Sequence, residues 1–372
     1  MRVFAYEDIT GGGLLNAPLP PALAREGDMM SRALLADLAG IPGIDAFTCR
    51  DPRLGPLELG SGTRVGSVMA ESGSFTRCAM QADAVWPIAP ETNGRLESLS
   101  RQVLDCGRIL LGSSPGAVRV AASKYLTSQA LEKSGVAAVP TFRLNESGMA
   151  SAEAAAPSFR LNAGASSRRP PHLGSTESGG GAAQQWPGSW VVKPDDGAGC
   201  QETRLFRSLS AAAQWAAARS TGADQIDFVM QPFVSGEPCS LSMLCRDGEA
   251  RLLSCNRQRV VIRDDQFHFL GSVVNGLHDS RARFAQLADR IASAFPGSWG
   301  YVGVDFILPE DGNAIVLEVN PRLTTSYVGL HASLGCNPAA LVLRLLDTTQ
   351  PLHVQRAHGI KVDVDLAAFD TR

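Results

Sequence analysis

The stretch GYVGVDFILPEDGNAIVLEVNPR, residues 300–322, predicts two antiparallel strands joined by a tight turn. Two apolar runs flank residues 309–313, PEDGN. Pro, Asp, Gly and Asn favour a hairpin turn. Pro fixes its own φ angle, whereas Gly, Asn and Asp tolerate the left-handed backbone conformation that tight turns use. The pattern therefore fixes a β-hairpin near the C-terminal end of the chain.

The hairpin carries a cluster of polar side chains at defined positions. Side chains alternate across a strand, so Glu318 and Asn320 are expected on one face and Leu317 and Val319 in the core. Asp305 on the first strand can lie opposite them. Two carboxylates and an amide oxygen form a hard ligand set that suits Mg²⁺, with Mn²⁺ as an alternative ion. A solvated polar face is the other interpretation.

A second motif, KPDDGAGC at residues 193–200, places a lysine at the end of an apolar run and a Gly-rich loop after it. Gly197 and Gly199 let backbone N–H groups approach phosphate oxygens, and Lys193 supplies positive charge. The lysine precedes the loop, so the motif is not a GxxxxGK[ST] phosphate loop. An ordinary Pro-Asp-Asp-Gly turn is the alternative.

A third motif, MQPFVSGEPCS at residues 230–240, predicts a strand, a Gly turn, an acid and another strand. The strand edge could pair with adenine through its backbone, and Glu237 could accept hydrogen bonds from ribose hydroxyls. A hairpin with a solvated glutamate is the alternative. The proposed adenine-binding residues are Gln231, Pro232, Phe233 and Val234.

The chain divides into three parts by pattern. Residues 1–112 alternate strands with helices and predict a parallel sheet. Residues 113–350 form a second domain of two lobes, interrupted at about 145–188 by a low-complexity insertion that we expect to be flexible. Residues 351–372 are a tail or a strand. Helices are expected over 28–38, starting near a capping Asp28, and over 116–134.

Composition narrows the function classes. Hydrophobic residues make up 44%, charged residues 19%, and the net charge is -3, which is typical of a soluble globular protein and gives no bulk attraction to nucleic acid. The chain has no apolar run of about 20 residues and no signal-peptide pattern, so we expect a cytoplasmic protein without a membrane partner. The eight cysteines form no CxxC pair and are expected to be reduced thiols.

The order of the three motifs, preceded by Lys124, resembles the ATP-grasp superfamily over about residues 112–337. The resemblance implies an α/β protein in which a parallel-sheet pre-ATP-grasp domain precedes two α+β lobes, and it implies ATP and Mg²⁺ as cofactors. Its implied roles are phosphate binding for Lys124 and Lys193, adenine binding for 230–234, ribose binding for Glu237, metal binding for Asp305, Glu318 and Asn320, and contact with an acyl phosphate or substrate carboxylate for Arg322. Many relatives carry an arginine two residues before the metal-binding aspartate, where this chain has Gly303. Arg257 or Arg259 is the suggested replacement.

Segments in the first domain give a narrower resemblance, to the tyramine–glutamate ligases of methanofuran biosynthesis. They are residues 11–13, 19–23, 25–30, 89–92 and 111–115. This resemblance implies an ADP-forming ligase that joins the γ-carboxylate of glutamate to tyramine or tyrosine through an acyl phosphate. Asp8 and Glu91 follow strands of the first domain and are candidates for binding the amine.

Two other functions stay open at this stage. The chain could be a D-alanine–D-alanine-type ligase or another amino-acid ligase, since substrate pockets vary more than ATP sites. It could also be a non-catalytic ATP-binding regulator, because Gly303 replaces an expected arginine. The sequence leaves the substrate pair undecided and is compatible with a homodimer.

Overall fold

The protein is described by a computed structural model in which two sheets account for most of the chain. The described residues are 1–59, 65–144, 149, 151–154, 188–197, 199–219, 226–354 and 359–366. The insertion predicted at about 145–188 lies almost wholly outside them. None of the helices in the described part is long and apolar enough to cross a membrane.

The first sheet is parallel and five-stranded, with its first strand in the centre and the order β3-β2-β1-β4-β5. Its strands are β1 (Arg2–Glu7), β2 (Asp45–Arg50), β3 (Gly66–Met69), β4 (Ala84–Ile88) and β5 (Ile109–Leu110). Its helices are α1 (Pro21–Ala39), α2 (Ser74–Met80) and α3 (Arg95–Asp105). Val3 and Ala5 pack with α1, whereas Phe4 and Tyr6 pack with α2 and α3. Both faces are therefore covered, as parallel sheets require.

The second sheet is antiparallel and ten-stranded, and it forms the walls of the candidate site. Its main path runs β14-β13-β10-β11-β12-β8-β7-β9-β6, and β15 pairs with β12. The strands are β6 (Phe142–Arg143), β7 (Trp190–Pro194), β8 (Arg204–Phe206), β9 (Phe228–Pro232), β10 (Glu237–Arg246), β11 (Glu249–Arg263), β12 (Gln266–Val274), β13 (Gly300–Leu308), β14 (Ile315–Asn320) and β15 (Val362–Asp365).

Residues 151–154 are helical, and six further helices lie entirely in the described part of the chain. They are α4 (Pro115–Ala122), α5 (Lys124–Lys133), α6 (Leu209–Arg219), α7 (Arg281–Ala294), α8 (Leu330–Leu334) and α9 (Pro338–Arg344). Phe284 and Ile291 of α7 are buried with Leu241 and Val304 of the sheet. Helix α6 packs separately, on β7 and β9. A third core joins Leu244, Leu253 and Val274 of the sheet to α1 of the first domain. The predicted α/β class is confirmed.

The helix predicted over 116–134 is two helices, divided at Ser123. Ser123 has an extended backbone, with φ −87° and ψ 117°. Its hydroxyl oxygen accepts a hydrogen bond from Leu126 N at 3.1 Å and donates one to Asp195 Oδ2 at 2.6 Å. Because Ser123 caps a new helix, Lys124 becomes the first residue of α5.

The first helix begins at Pro21, seven residues before the predicted capping aspartate. Proline suits the first turn of a helix because the N–H it lacks would have no partner there. Asp28 does not cap the helix; it forms ion pairs with Arg32 and Arg50. The longer helix includes Glu26, which matters for the site.

Candidate active site

A cavity of about 200 Å³ is bounded by strands of the second sheet, the Gly-rich loop after β7 and one residue of α1. We call it the central cavity. The predicted site residues that line it are Lys124, Lys193, Gly197, Gly199, Gln231, Phe233, Val234, Asp305, Glu318, Asn320 and Arg322. Those that do not line it are Pro232, Glu237, Asp8, Glu91, Arg257 and Arg259.

The hairpin of β13 and β14 places Asp305 directly opposite Glu318. The next pair along is Phe306 with Val316, so Leu317 has no partner and forms a β-bulge. The bulge corrects the predicted alternation, because Leu317 lines the cavity beside Glu318 and is not in the core. The cavity thereby receives an apolar and an acidic side chain from consecutive residues.

The two hairpin carboxylates have opposite protonation tendencies. Burial and the neighbouring Glu318 raise the pKa of Asp305 well above its usual range. Burial also opposes ionisation of Glu318, but the charges of Lys124 and Lys193 outweigh it and lower the pKa of Glu318 to about 2. Asp305 Oδ1 accepts a hydrogen bond from Gln258 Nε2 at 2.8 Å. Glu318 is therefore the stronger acid of the two, and Asp305 holds its proton more tightly.

Lys193 and Lys124 bring positive charge to these carboxylates. Lys193 is 7% exposed on β7, and burial lowers its pKa to about 8 although Glu318 favours the charged form. Lys124 Nζ lies 3.7 Å from Glu318 Oε2 and donates a hydrogen bond to Gly197 O at 2.7 Å. Buried ammonium groups of this kind are available to neutralise an anion that enters the cavity.

The Gly-rich loop is anchored at its first two residues. Asp195 Oδ1 accepts a hydrogen bond from Tyr125 N at 2.9 Å, which ties the loop to the start of α5. Asp196 Oδ2 accepts one from Asn93 N at 2.6 Å, which ties it to the first domain. Gly199 has φ +66°, in the left-handed region where glycine is favoured. The loop is thus fixed at Asp195 and Asp196, and Lys124 also contacts it through Gly197 O.

The residues predicted to bind the amine or replace an arginine are engaged in ion pairs. Glu91 holds Arg322 through two hydrogen bonds of 2.9 Å each, so a predicted amine-binding residue instead supports a predicted catalytic one. The other pairs are Asp8 with Arg95, Glu237 with Arg257, and Asp363 with Arg259.

Gly303, the departure from the family pattern, is packed against Thr324. A Cβ atom at Gly303 would lie 2.5 Å from Thr324 Cγ2, so a side chain there would require a rearrangement. Thr324 Oγ1 and Tyr301 OH are 2.9 Å apart, which fixes the threonine. The space of the expected arginine is therefore filled by a neighbouring side chain.

Several lining residues were not predicted. Gln258 lies between Arg257 and Arg259, and the alternation of β11 could have indicated that it faces the opposite way from both. Phe267 and Phe269 alternate along β12 in the same manner and add apolar surface. Other unpredicted lining residues are Glu26, Cys200, Thr324, Thr325 and Ser326.

The oxygen atoms of the hairpin fit a magnesium ion. Within the described ranges, no group of three or more His, Cys, Asp or Glu side chains is arranged to hold a metal. The set is therefore Asp305 and Glu318 with the amide of Asn320, whose Nδ2 donates to Asp305 Oδ2 at 3.3 Å and leaves its oxygen as an acceptor. Magnesium commonly takes one or two carboxylates and fills its other positions with water and phosphate.

Comparison with known families decides the assignment. A family model described as an ATP-grasp domain matches residues 121–326, and one described as a pre ATP-grasp 3 domain matches residues 44–118. The chain belongs to the ATP-grasp family. A solved ATP-grasp superfamily protein from Archaeoglobus fulgidus has a TM-score of 0.64 and 19% identity, with 97% of this chain and 91% of that chain covered. The predicted ATP-grasp fold is confirmed.

Two curated relatives match part of this ATP-grasp chain. The tyramine–L-glutamate ligase of Methanocaldococcus jannaschii is 31% identical over 139 residues, which are 37% of this chain and 42% of the relative. That of Methanocaldococcus fervens is 35% identical over 104 residues, which are 28% of this chain and 33% of the relative. The predicted resemblance to these ligases is confirmed, and the matches span less than half of either relative.

Proposed function

We propose that this chain is an ATP-dependent carboxylate–amine ligase. The observation that carries the proposal is the juxtaposition, in one cavity, of Lys124 and Lys193 with the Asp305–Glu318 pair. Cations beside an oxygen-rich metal site are the arrangement that phosphoryl transfer requires. The family and the ligase names of the two curated relatives support the same conclusion.

The nucleotide is proposed to span the cavity from its apolar part to its charged part. Phe233, Val234 and Phe267 would enclose adenine, with the backbone of 231–234 pairing with its edge. Glu237 is our proposed ribose ligand; its Oε1 accepts from Arg257, and its Oε2 has no hydrogen bond among the described residues. The phosphates would then reach the two lysines and the Gly-rich loop.

Asp305, Glu318 and Asn320 would hold magnesium or manganese. Such an ion supplies positive charge that neutralises the phosphate oxygens during transfer. The low pKa of Glu318, about 2, keeps one carboxylate ionised at any physiological pH. The chain's own contribution is to hold these oxygens on a rigid hairpin.

The proposed reaction has two steps. The substrate carboxylate attacks the γ-phosphate to give an acyl phosphate and ADP, and the amine then attacks the acyl carbon and releases phosphate. Lys193 and Lys124 would neutralise charge in the first step, and Arg322, oriented by Glu91, would contact the acyl phosphate. Closure of the Gly-rich loop over the site would exclude water from the intermediate.

For substrates we propose the γ-carboxylate of glutamate and an aromatic amine, tyramine or tyrosine. This finer proposal rests on the activity for which the two relatives are named and on the first-domain segments that resemble them. It would place the enzyme in the biosynthesis of a methanofuran-type or methylofuran-type cofactor.

The test is ADP release with Mg-ATP and glutamate while tyramine, tyrosine and other amines are added in turn, with mass spectrometry of the product. We expect a γ-glutamyl amide, and we expect Lys193→Met and Glu318→Gln to abolish its formation. Glu132→Gln, an exposed change on α5, is the matched control and should leave the rate unchanged. Turnover only with amino acids other than glutamate and tyrosine would keep the ligase and reject the proposed substrates. ATP binding without turnover for any pair would favour a regulator and reject the proposal.

A further inference from the structure

One carboxylate of the first domain reaches the central cavity. Glu26 lies in the second turn of α1, is half-buried and lines the cavity near Thr324, Thr325 and Ser326. Its Oε1 accepts a hydrogen bond from the hydroxyl of Thr325. The cavity is therefore not built from the ATP-grasp sheet alone.

Most other acids at this end of the first sheet have cationic partners, and Glu7 instead accepts hydrogen bonds from Ile9 and Thr10. Asp8 is paired with Arg95, Asp28 with Arg50, Asp51 with Arg53 and Glu91 with Arg322. Glu26 has no salt-bridge partner among the residues that the structure describes, although its charge acts at longer range on Arg322, and its Oε2 accepts no hydrogen bond from those residues. It thus presents an open acceptor oxygen and a negative charge to the cavity.

The chemistry of a ligand for this oxygen follows from its surroundings. A substrate carboxylate or a phosphate would be repelled by Glu26, and both already have Lys124, Lys193 and Arg322 to bind them. A magnesium ion would be bound by the oxygen atoms of the β13–β14 hairpin, whereas Glu26 lies on α1. A positively charged hydrogen-bond donor is the complementary ligand for a half-buried, unpaired carboxylate.

We infer that Glu26 binds the ammonium group of the amine substrate, which then releases one proton to solvent and attacks the acyl carbon as the neutral amine. This inference rests on the proposed function. It assigns amine binding to Glu26, because the earlier candidates Asp8 and Glu91 are engaged in ion pairs. The class of acceptor is then a primary amine that is protonated in solution, as tyramine and the amino group of tyrosine are. A small neutral nucleophile such as hydroxylamine does not need this contact.

The experiment compares the wild type with Glu26→Gln, Glu26→Asp and an exposed first-domain control, Glu71→Gln. Each protein is assayed for amine-dependent amide formation and for hydroxamate formation from ATP, glutamate and hydroxylamine. We expect Glu26→Gln to raise the KM for the amine by about 10-fold or more, the loss of one charge-assisted hydrogen bond. Its KM for ATP and its hydroxamate rate should match those of the control, and Glu26→Asp should recover part of the amine affinity.

Three other results would overturn the role of Glu26. An amine KM within about twofold of the wild type, or an equal loss of amide and hydroxamate, overturns the role of Glu26 alone. If Glu26→Gln does not fold, Thr325→Val is used, since it removes the hydroxyl that orients Glu26; an unchanged amine KM in that variant likewise overturns the inference. A wild type that shows no amine-dependent turnover overturns the proposed function and this inference together.

Discussion

At the scale of single residues, Lys193 shows how the site opposes stability. Burial lowers its pKa from about 10.5 to about 8, so the charged form is disfavoured in the folded protein. We expect Lys193→Met to raise the free energy of unfolding at pH 7 by roughly 1–3 kcal/mol, since a shift of this size corresponds to at most about 3 kcal/mol. The same variant should lose nucleotide binding, and urea unfolding with calorimetric ATP titration measures both quantities.

The pH dependence of stability gives an independent check on Lys193. Between about pH 8 and 10.5 the unfolded chain binds this proton and the folded protein does not. The free energy of unfolding contributed by Lys193 is therefore lowest below pH 8 and rises as pH increases toward 10.5. Subtracting the Lys193→Met profile from that of the wild type should show this rise; a flat difference would contradict the buried ammonium.

Gly303 is the second residue-scale case, because its neighbour decides what can replace it. We expect Gly303→Ala to destabilise the protein by about 1–3 kcal/mol, since the new Cβ meets Thr324 Cγ2 at 2.5 Å. Thr324→Ser removes that methyl group and keeps the hydroxyl that contacts Tyr301. In the double variant most of the loss should be recovered. Additive losses in a double-mutant cycle would show that Thr324 is not the obstacle.

At the scale of elements, the C-terminal strand β15 completes the wall that carries Phe267 and Phe269. It pairs with residues 271–274 of β12 and is held by Arg259, whose Nη2 donates to Val364 O at 2.8 Å. Ending the chain at Gly359 should lower the free energy of unfolding by about 2–3 kcal/mol, mainly through exposure of Val364 and its partners.

Hydrogen exchange tests the truncation directly. Residues 271–274 should exchange faster when β15 is absent, and nucleotide affinity should fall because the same strand carries cavity residues. Arg259→Met, which keeps the strand and removes only its side-chain contacts, should give a smaller effect on both. Unchanged exchange at 271–274 would mean that β12 does not need its partner.

The elements that sequence predicts well are those whose pattern is local. The hairpin of 300–320 and the strand ending at Lys193 combine apolar runs with turn residues, and both are observed. Strand β2 has a weak pattern in the sequence, because Arg50 at its end is polar and yet only 7% exposed in the fold. Asp28, 22 residues earlier, neutralises it. A strand stabilised by such a partner has no local signature.

The same division applies to the site. The lysines and hairpin acids follow recognisable motifs, and they line the same cavity. The contact of Glu26 with Thr325 joins residues 299 positions apart, and no spacing in the sequence indicates it. Similarly, the bulge at Leu317 depends on the register with β13 and is invisible in the strand's own alternation.

At the scale of the whole molecule, the turn after β4 connects the first domain to both halves of the site. Asn93 holds the Gly-rich loop through Asp196, and Glu91 holds Arg322 at the end of the metal-binding hairpin. A single short segment therefore sets the position of two site elements that lie far apart in sequence. Movement of the first domain relative to the sheet would disturb both together.

This arrangement predicts that Glu91 acts through Arg322 and not on the amine. Glu91→Gln leaves a buried guanidinium without its counter-charge, and we expect a loss of about 3 kcal/mol or more in the free energy of unfolding. Arg322→Met added to it should restore part of that stability, although ligase activity stays absent. If Glu91 bound the amine instead, Glu91→Gln would keep wild-type stability and raise only the KM for the amine. Urea unfolding of the two single variants and the double variant measures the coupling energy between Glu91 and Arg322. Amine titrations of Glu91→Gln measure its KM. Only a structural ion pair gives a favourable coupling energy.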